Sequence, residues 1–213
     1  MNIWKSWVKV WFRDGSYVDL AVVRILAVGL SLWLRLDQMP LPLNTALNMP
    51  DSLYYPLPML KLFMLPWGWE ARPDAVLVNT VYWVTIISGF FSFIGFRTNV
   101  SLFVFAIGNI FLQSFIYGFG DLHHRDEIMM IALLALSLSP CGRVLSLDNV
   151  LGKGHNSFVE SSKPASTETS PFAYWPLFML QAFFCLMYLS AVASKLSTSG
   201  LDWVNGYTLQ YYM

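Results

Sequence analysis

Six titratable side chains stand together at Asp121, His123, His124, Arg125, Asp126 and Glu127, immediately before the apolar run from Ile128 to Leu138. On a helix, His123 and Glu127 are neighbours at i, i+4. With His124 and Asp126 they offer imidazole nitrogens and carboxylate oxygens, the ligand types of a metal site. No second histidine pair or cysteine ligand accompanies them, and Asp126 and Glu127 suit the positive end of a helix dipole. Capping is therefore the favoured reading, and no metal is assigned. Lys195 closes a later apolar stretch, Phe172 to Leu196. A lysine amine kept neutral by an apolar setting is a general base. The competing and favoured reading from position alone is a lysine that snorkels to the headgroups. Arg24 lies inside a third apolar stretch, Tyr17 to Leu36. A charge there is costly unless paired, so it must face the bundle interior. Asp19 or a polar group on another helix is its expected partner, in a structural rather than catalytic role.

The elements that must position these groups are membrane helices. The chain has 213 residues, 56% hydrophobic, 16% aromatic and 12% charged, against about 25% charged in ordinary soluble domains. That balance predicts an all-α, polytopic membrane bundle. A formal net charge of zero leaves no electrostatic footprint for nucleic acid. Cys141 and Cys185 fall at the membrane edge and near its middle, too far apart to bridge.

Residues 1–16 form an amphipathic segment rather than a signal peptide. On a helix Trp4, Trp7 and Trp11 share one face and Lys5, Lys9 and Arg13 the other, which fits an interfacial helix. Packing on the bundle is the alternative. Residues 17–213 are read as one transmembrane domain with five spans: Tyr17–Leu36, Ala75–Phe96, Ser101–Phe119, Ile128–Leu145 and Phe172–Leu196. Asp37–Asp74 is a proline-rich connection flanked by Tyr54, Tyr55, Trp67 and Trp69, expected to hug the membrane and roof a cavity. Ser88 and Ser92 allow close helix packing, and Asn109 and Gln113 face other helices. Asp148–Pro171 is polar and expected to be a flexible loop.

Lys and Arg counts in the connections place the amino terminus in the cytoplasm; in a bacterium the membrane would be the inner one. The proline-aromatic loop, the His123–Glu127 cluster and Lys195 then share the non-cytoplasmic side, with Asn79 and Gln113 one or two turns below it.

Three stretches resemble the HTTM (horizontally transferred transmembrane) family, related to the membrane domain of vitamin K-dependent gamma-carboxylase. They are VVRILAVGLSLWLRLD around Arg24, RDEIMMIALLALSLSPCGRVLSLD at 125–148, and MYLSAVASKLSTSGLDWVNGYTLQYY at 187–212. The resemblance runs from about Tyr17 to the end. Its most specific pieces are SPCGRVLSLD at 139–148 and Lys195-Leu196 followed by Asp202-Trp203-Val204 and Gly206-Tyr207. It implies that Lys195 is the base toward a reduced quinone such as vitamin K hydroquinone. Trp203, Gly206 and Tyr207 would frame the quinone in an outer-leaflet cavity. The carboxylase has an Asn-His pair near the start of its fourth helix, where this chain has Asp126 and Glu127; His123 and His124 lie one turn earlier. The family usually continues with further spans beyond the point matching Met213, which leaves open a truncated relative or a fragment.

The functional expectation is a pocket for a lipid or quinone, open to the non-cytoplasmic side. Lys195, His124 and Glu127 are its chemical groups, and Trp203, Gly206, Tyr207, Asn79 and Gln113 its walls. Membrane lipid and a quinone are the expected partners. The rival is a non-enzymatic assembly or scaffold component, for which enlarging Ala132 or Ser139 would disrupt association.

Overall fold

A computed structural model describes residues 3–58, 60–61, 72–120, 125–152 and 169–200, with backbone alone for 3–6, 125–126 and 199. It is an all-α bundle with one two-residue strand pair among the described residues. Among the described residues, four helices are long and apolar enough to cross a membrane: α2 (Tyr17–Asp37), α4 (Ala75–Ile94), α5 (Thr98–Tyr117) and α8 (Pro171–Ser199). The protein is accordingly a helical membrane protein. The short helices are α1 (Ile3–Trp11), α3 (Pro40–Asn48), α6 (Arg125–Ser137) and α7 (Leu147–Val150).

Local chemistry sets the boundaries. Ser16 caps α2, its hydroxyl accepting from the Val18 amide at 3.1 Å. Pro40 starts α3, where its missing amide costs nothing. Gly95 ends α4 in the left-handed conformation, and the chain reverses at once into α5. Ser170 caps α8, and β1 (Gly15–Ser16) pairs antiparallel with β2 (Thr169–Ser170), tying the starts of α2 and α8 together.

Two apolar clusters form the core. One joins Leu20, Val28 and Leu32 of α2 to Phe105 of α5 and Leu133 and Leu136 of α6. The other seats Leu43 and Ala46 of α3 on Val78 of α4 and Leu112 and Phe115 of α5. Small residues bring the helices close: Gly108 lies directly on Thr85, and Ser88 and Ser92 are buried.

One expected span needs correction, and one connection is refined. The stretch Ile128–Leu145 is not one spanning helix. α6 stops at Ser137 after 13 residues, about 20 Å against a hydrocarbon core of about 30 Å. Pro140 disfavours helical backbone at Ser139, and the chain turns through 138–146. The Asp37–Asp74 connection also contains an ordered helix, α3. Residues 153–168, His123, His124, Trp203, Gly206 and Tyr207 lie outside the described residues.

Candidate functional site

Polar side chains gather at both ends of the bundle. At the end where α2 starts, Arg24 is fully buried. Its Nη1 donates to the Cys141 carbonyl at 3.0 Å and its Nη2 to the Leu145 carbonyl at 2.6 Å. These are backbone acceptors in the 138–146 turn, not Asp19, which is exposed. The same turn is fastened to α5. The Asp148 carboxylate accepts from the Arg97 amide (2.8 Å), the Thr98 amide (2.7 Å) and the Thr98 hydroxyl (2.8 Å). Asn99 donates to the Ser137 and Ser139 carbonyls. Partial burial alone would raise the Asp148 carboxyl, but these hydrogen bonds and the charge of Arg24 hold it below its ordinary value. Arg143 lies over the Tyr17 ring, 4.8 Å from its centroid. The stretch SPCGRVLSLD is thus a structural knot.

The opposite end carries the more unusual group. Arg35, near the end of α2, is 8% exposed. Its Nε donates to Asn109 Oδ1 at 2.5 Å and its Nη1 to Gln113 Oε1 at 2.8 Å. Met39 Sδ lies 3.0 Å from the same Nη1. The Asn109 amide donates onward to the Phe105 carbonyl, and the Tyr82 hydroxyl donates to the Arg35 carbonyl at 3.3 Å. α2, α4 and α5 therefore meet at one cationic, amide-lined point. Neither Arg24 nor the apolar pattern of α2 identified Arg35. The available signal was its spacing from Arg24, roughly three helical turns, which puts both on one face.

Also at this end, Arg72 donates to the Leu47 carbonyl (2.6 Å), the Met49 carbonyl (2.7 Å) and Asp51 Oδ1 (2.8 Å). It fastens the carboxyl end of α3 to the segment entering α4. Tyr54 packs on Phe115 and Phe119. Burial pushes its hydroxyl up to about 12 against the opposing pull of Arg72.

The expected pocket residues divide as follows. Gln113 is buried against Arg35, whereas Asn79 is exposed on α4, so the two amides are not brought together. Glu127 is exposed at the start of α6. Lys195 is exposed on the second half of α8. Helix alternation places Glu127 and Lys195 at the Arg35 end. Ala132 (7% exposed) and Ser139 (1%) face the interior, so enlarging them strikes the fold rather than an association surface.

No family model, no curated protein and no solved structure matches the chain.

Proposed function

We propose that the chain is an HTTM-like integral membrane protein that holds a lipid-soluble, quinone-type ligand at the Arg35 end. In this reading the amino terminus is cytoplasmic, α6 is a shortened fifth membrane segment, and the ligand end faces the non-cytoplasmic side. The observation that carries the reading is the buried Arg35–Asn109–Gln113 cluster. A cation buried inside a membrane bundle is costly and is read as part of a ligand, ion or proton path by default.

The residues fit a quinone in one respect. Quinone oxygens are acceptors, and the amine of Lys195, exposed at this end, is a donor. A bound reduced quinone would supply the redox chemistry. Within the chain, Lys195 takes the role of base implied by the resemblance, with His124 and Glu127 as further proton-transfer groups. Trp203, Gly206 and Tyr207 are the proposed frame. Oxygen uptake by membranes given reduced quinone tests the enzymatic part. Uptake that falls with Lys195→Ala is the expected result; unchanged uptake removes Lys195.

A second reading, a non-enzymatic assembly component, is favoured by α8. This helix has 29 residues, about 43 Å, yet its most apolar window has no buried residue. Phe184, Leu186, Tyr188 and Leu189 are exposed around this helix among the described residues. The readings separate on Lys195→Ala, which leaves an assembly role intact.

A further inference from the structure

The amino-terminal helix α1 has no part in the proposed ligand end. It is nine residues long, and a helix of that length is marginal in water without other support. The bundle gives it little. Among its described side chains Trp11 is half-buried, its ring meeting that of Phe178 on α8 edge-on at 4.8 Å, while Trp7, Val8, Lys9 and Val10 are exposed. The Trp7 ring is 5.7 Å from that of Trp11, yet Trp7 is 57% exposed, and Phe12, just past the helix, is 50% exposed. An indole and a phenyl ring left this open call for an apolar cover.

The place of α1 in the bundle identifies that cover. Phe178 lies about two turns, or 10 Å, past Pro171 along α8. β1 and β2 bring the start of α2 to the start of α8 at the same end, and both helices are candidate spans. α1 thus lies about where a span leaves the hydrocarbon, the depth at which interfacial helices bury their apolar side. The chain joining α7 to β2 is a poor substitute, since residues 153–168 carry only Phe158 and Val159 as large apolar side chains. Charge gives the surface its direction. Lys9 stands about 160° around the helix from both Trp7 and Trp11, and Arg13 follows it; both are exposed. The exposed carboxylates nearest in sequence, Asp14 and Asp19, stand beyond α1.

We propose that α1 is a docking surface for an anionic lipid leaflet. Trp7 and Phe12 enter the boundary between headgroups and acyl chains, Trp11 anchors the helix to α8, and Lys9 and Arg13 meet lipid phosphates. Cations beside an anionic leaflet favour it over a zwitterionic one.

The test places the purified full chain in nanodiscs of equimolar phosphatidylcholine and phosphatidylglycerol. Bromine is carried on the acyl chains of one lipid or of the other, so that overall composition stays the same. Bromine quenches only an indole that reaches the acyl region. The Trp7 signal is the difference in fluorescence between wild type and Trp7→Phe. It should be quenched, and about twofold or more strongly when the bromine is on phosphatidylglycerol. In Lys9→Gln/Arg13→Gln, read against the same variant carrying Trp7→Phe, the two lipids should quench equally. Phe12→Trp adds a second reporter to the otherwise unaltered chain and should show the same preference. Reporters that neither lipid quenches overturn the proposal. So does equal quenching by the two lipids in wild type, or a preference that survives the loss of both cations. None of these outcomes bears on the quinone reading.

Discussion

Arg24 and Arg35 share one face of α2, and each is buried against a different kind of partner. Arg24 donates to the carbonyls of Cys141 and Leu145, holding a turn in place. Arg35 donates to the side-chain amides of Asn109 and Gln113, inside the bundle where α2 meets α5. The first is a backbone clamp. The second is a polar group at a helix junction, which is why the proposed ligand end is placed there.

Gln113→Leu removes an acceptor from a buried guanidinium and is expected to cost about 1.5–3 kcal/mol. The double variant Arg35→Met/Gln113→Leu should cost less than the sum of the two single changes, because the second removes an interaction the first has already broken. Thermal unfolding in detergent measures all three. Additive losses would show that the two side chains do not stabilise the fold through each other.

Asp148 predicts a pH signature. Its carboxyl titrates lower in the folded chain than in the unfolded one, so its contribution is fully present above the unfolded value of about 3.8 and is lost as pH falls through the folded value. Asp148→Asn leaves the start of α5 without its carboxylate acceptor, at a cost of about 0.5–2 kcal/mol. The gap between wild type and D148N should be flat from pH 7 to about 4 and close below that. Stability against pH for the pair is the measurement.

Gly95 tests the knot sterically. Its φ is +74°, and a Cβ there would lie 2.5 Å from Ser146 Cβ and 2.8 Å from Ser146 Cα. Gly95→Ala should cost more than about 1 kcal/mol. Gly120→Ala is the comparison, since its φ is +88° but no atom of the described residues lies within 4 Å. It carries the backbone strain alone, so the melting temperature should fall less than for G95A.

The spans around α2, α4, α5 and α8 were legible because each is a long apolar run bounded by a cap, a proline or a glycine. Ser16, Gly95 and Ser170 mark those ends locally. The shortening of α6 was not legible from hydropathy: residues 138–145 are apolar enough to continue, and Pro140 decides otherwise. The partner of Arg24 was also hidden, because backbone carbonyls of a distant turn leave no trace in side-chain type. Asn109 and Gln113 were read correctly as facing other helices. Their partner Arg35 sits almost at the end of α2, where a basic residue ordinarily reads as an interfacial anchor. Asn79 shows the converse: its depth below the surface did not say which face of α4 is buried.

The ligand end is tested most directly by photo-crosslinking a diazirine-bearing quinone analogue to the protein in native membranes and mapping the labelled peptides. The account predicts saturable labelling near Arg35, Gln113 and Lys195, displaced by unmodified quinone. Labelling that is non-saturable, or confined to the 139–148 knot, would contradict it.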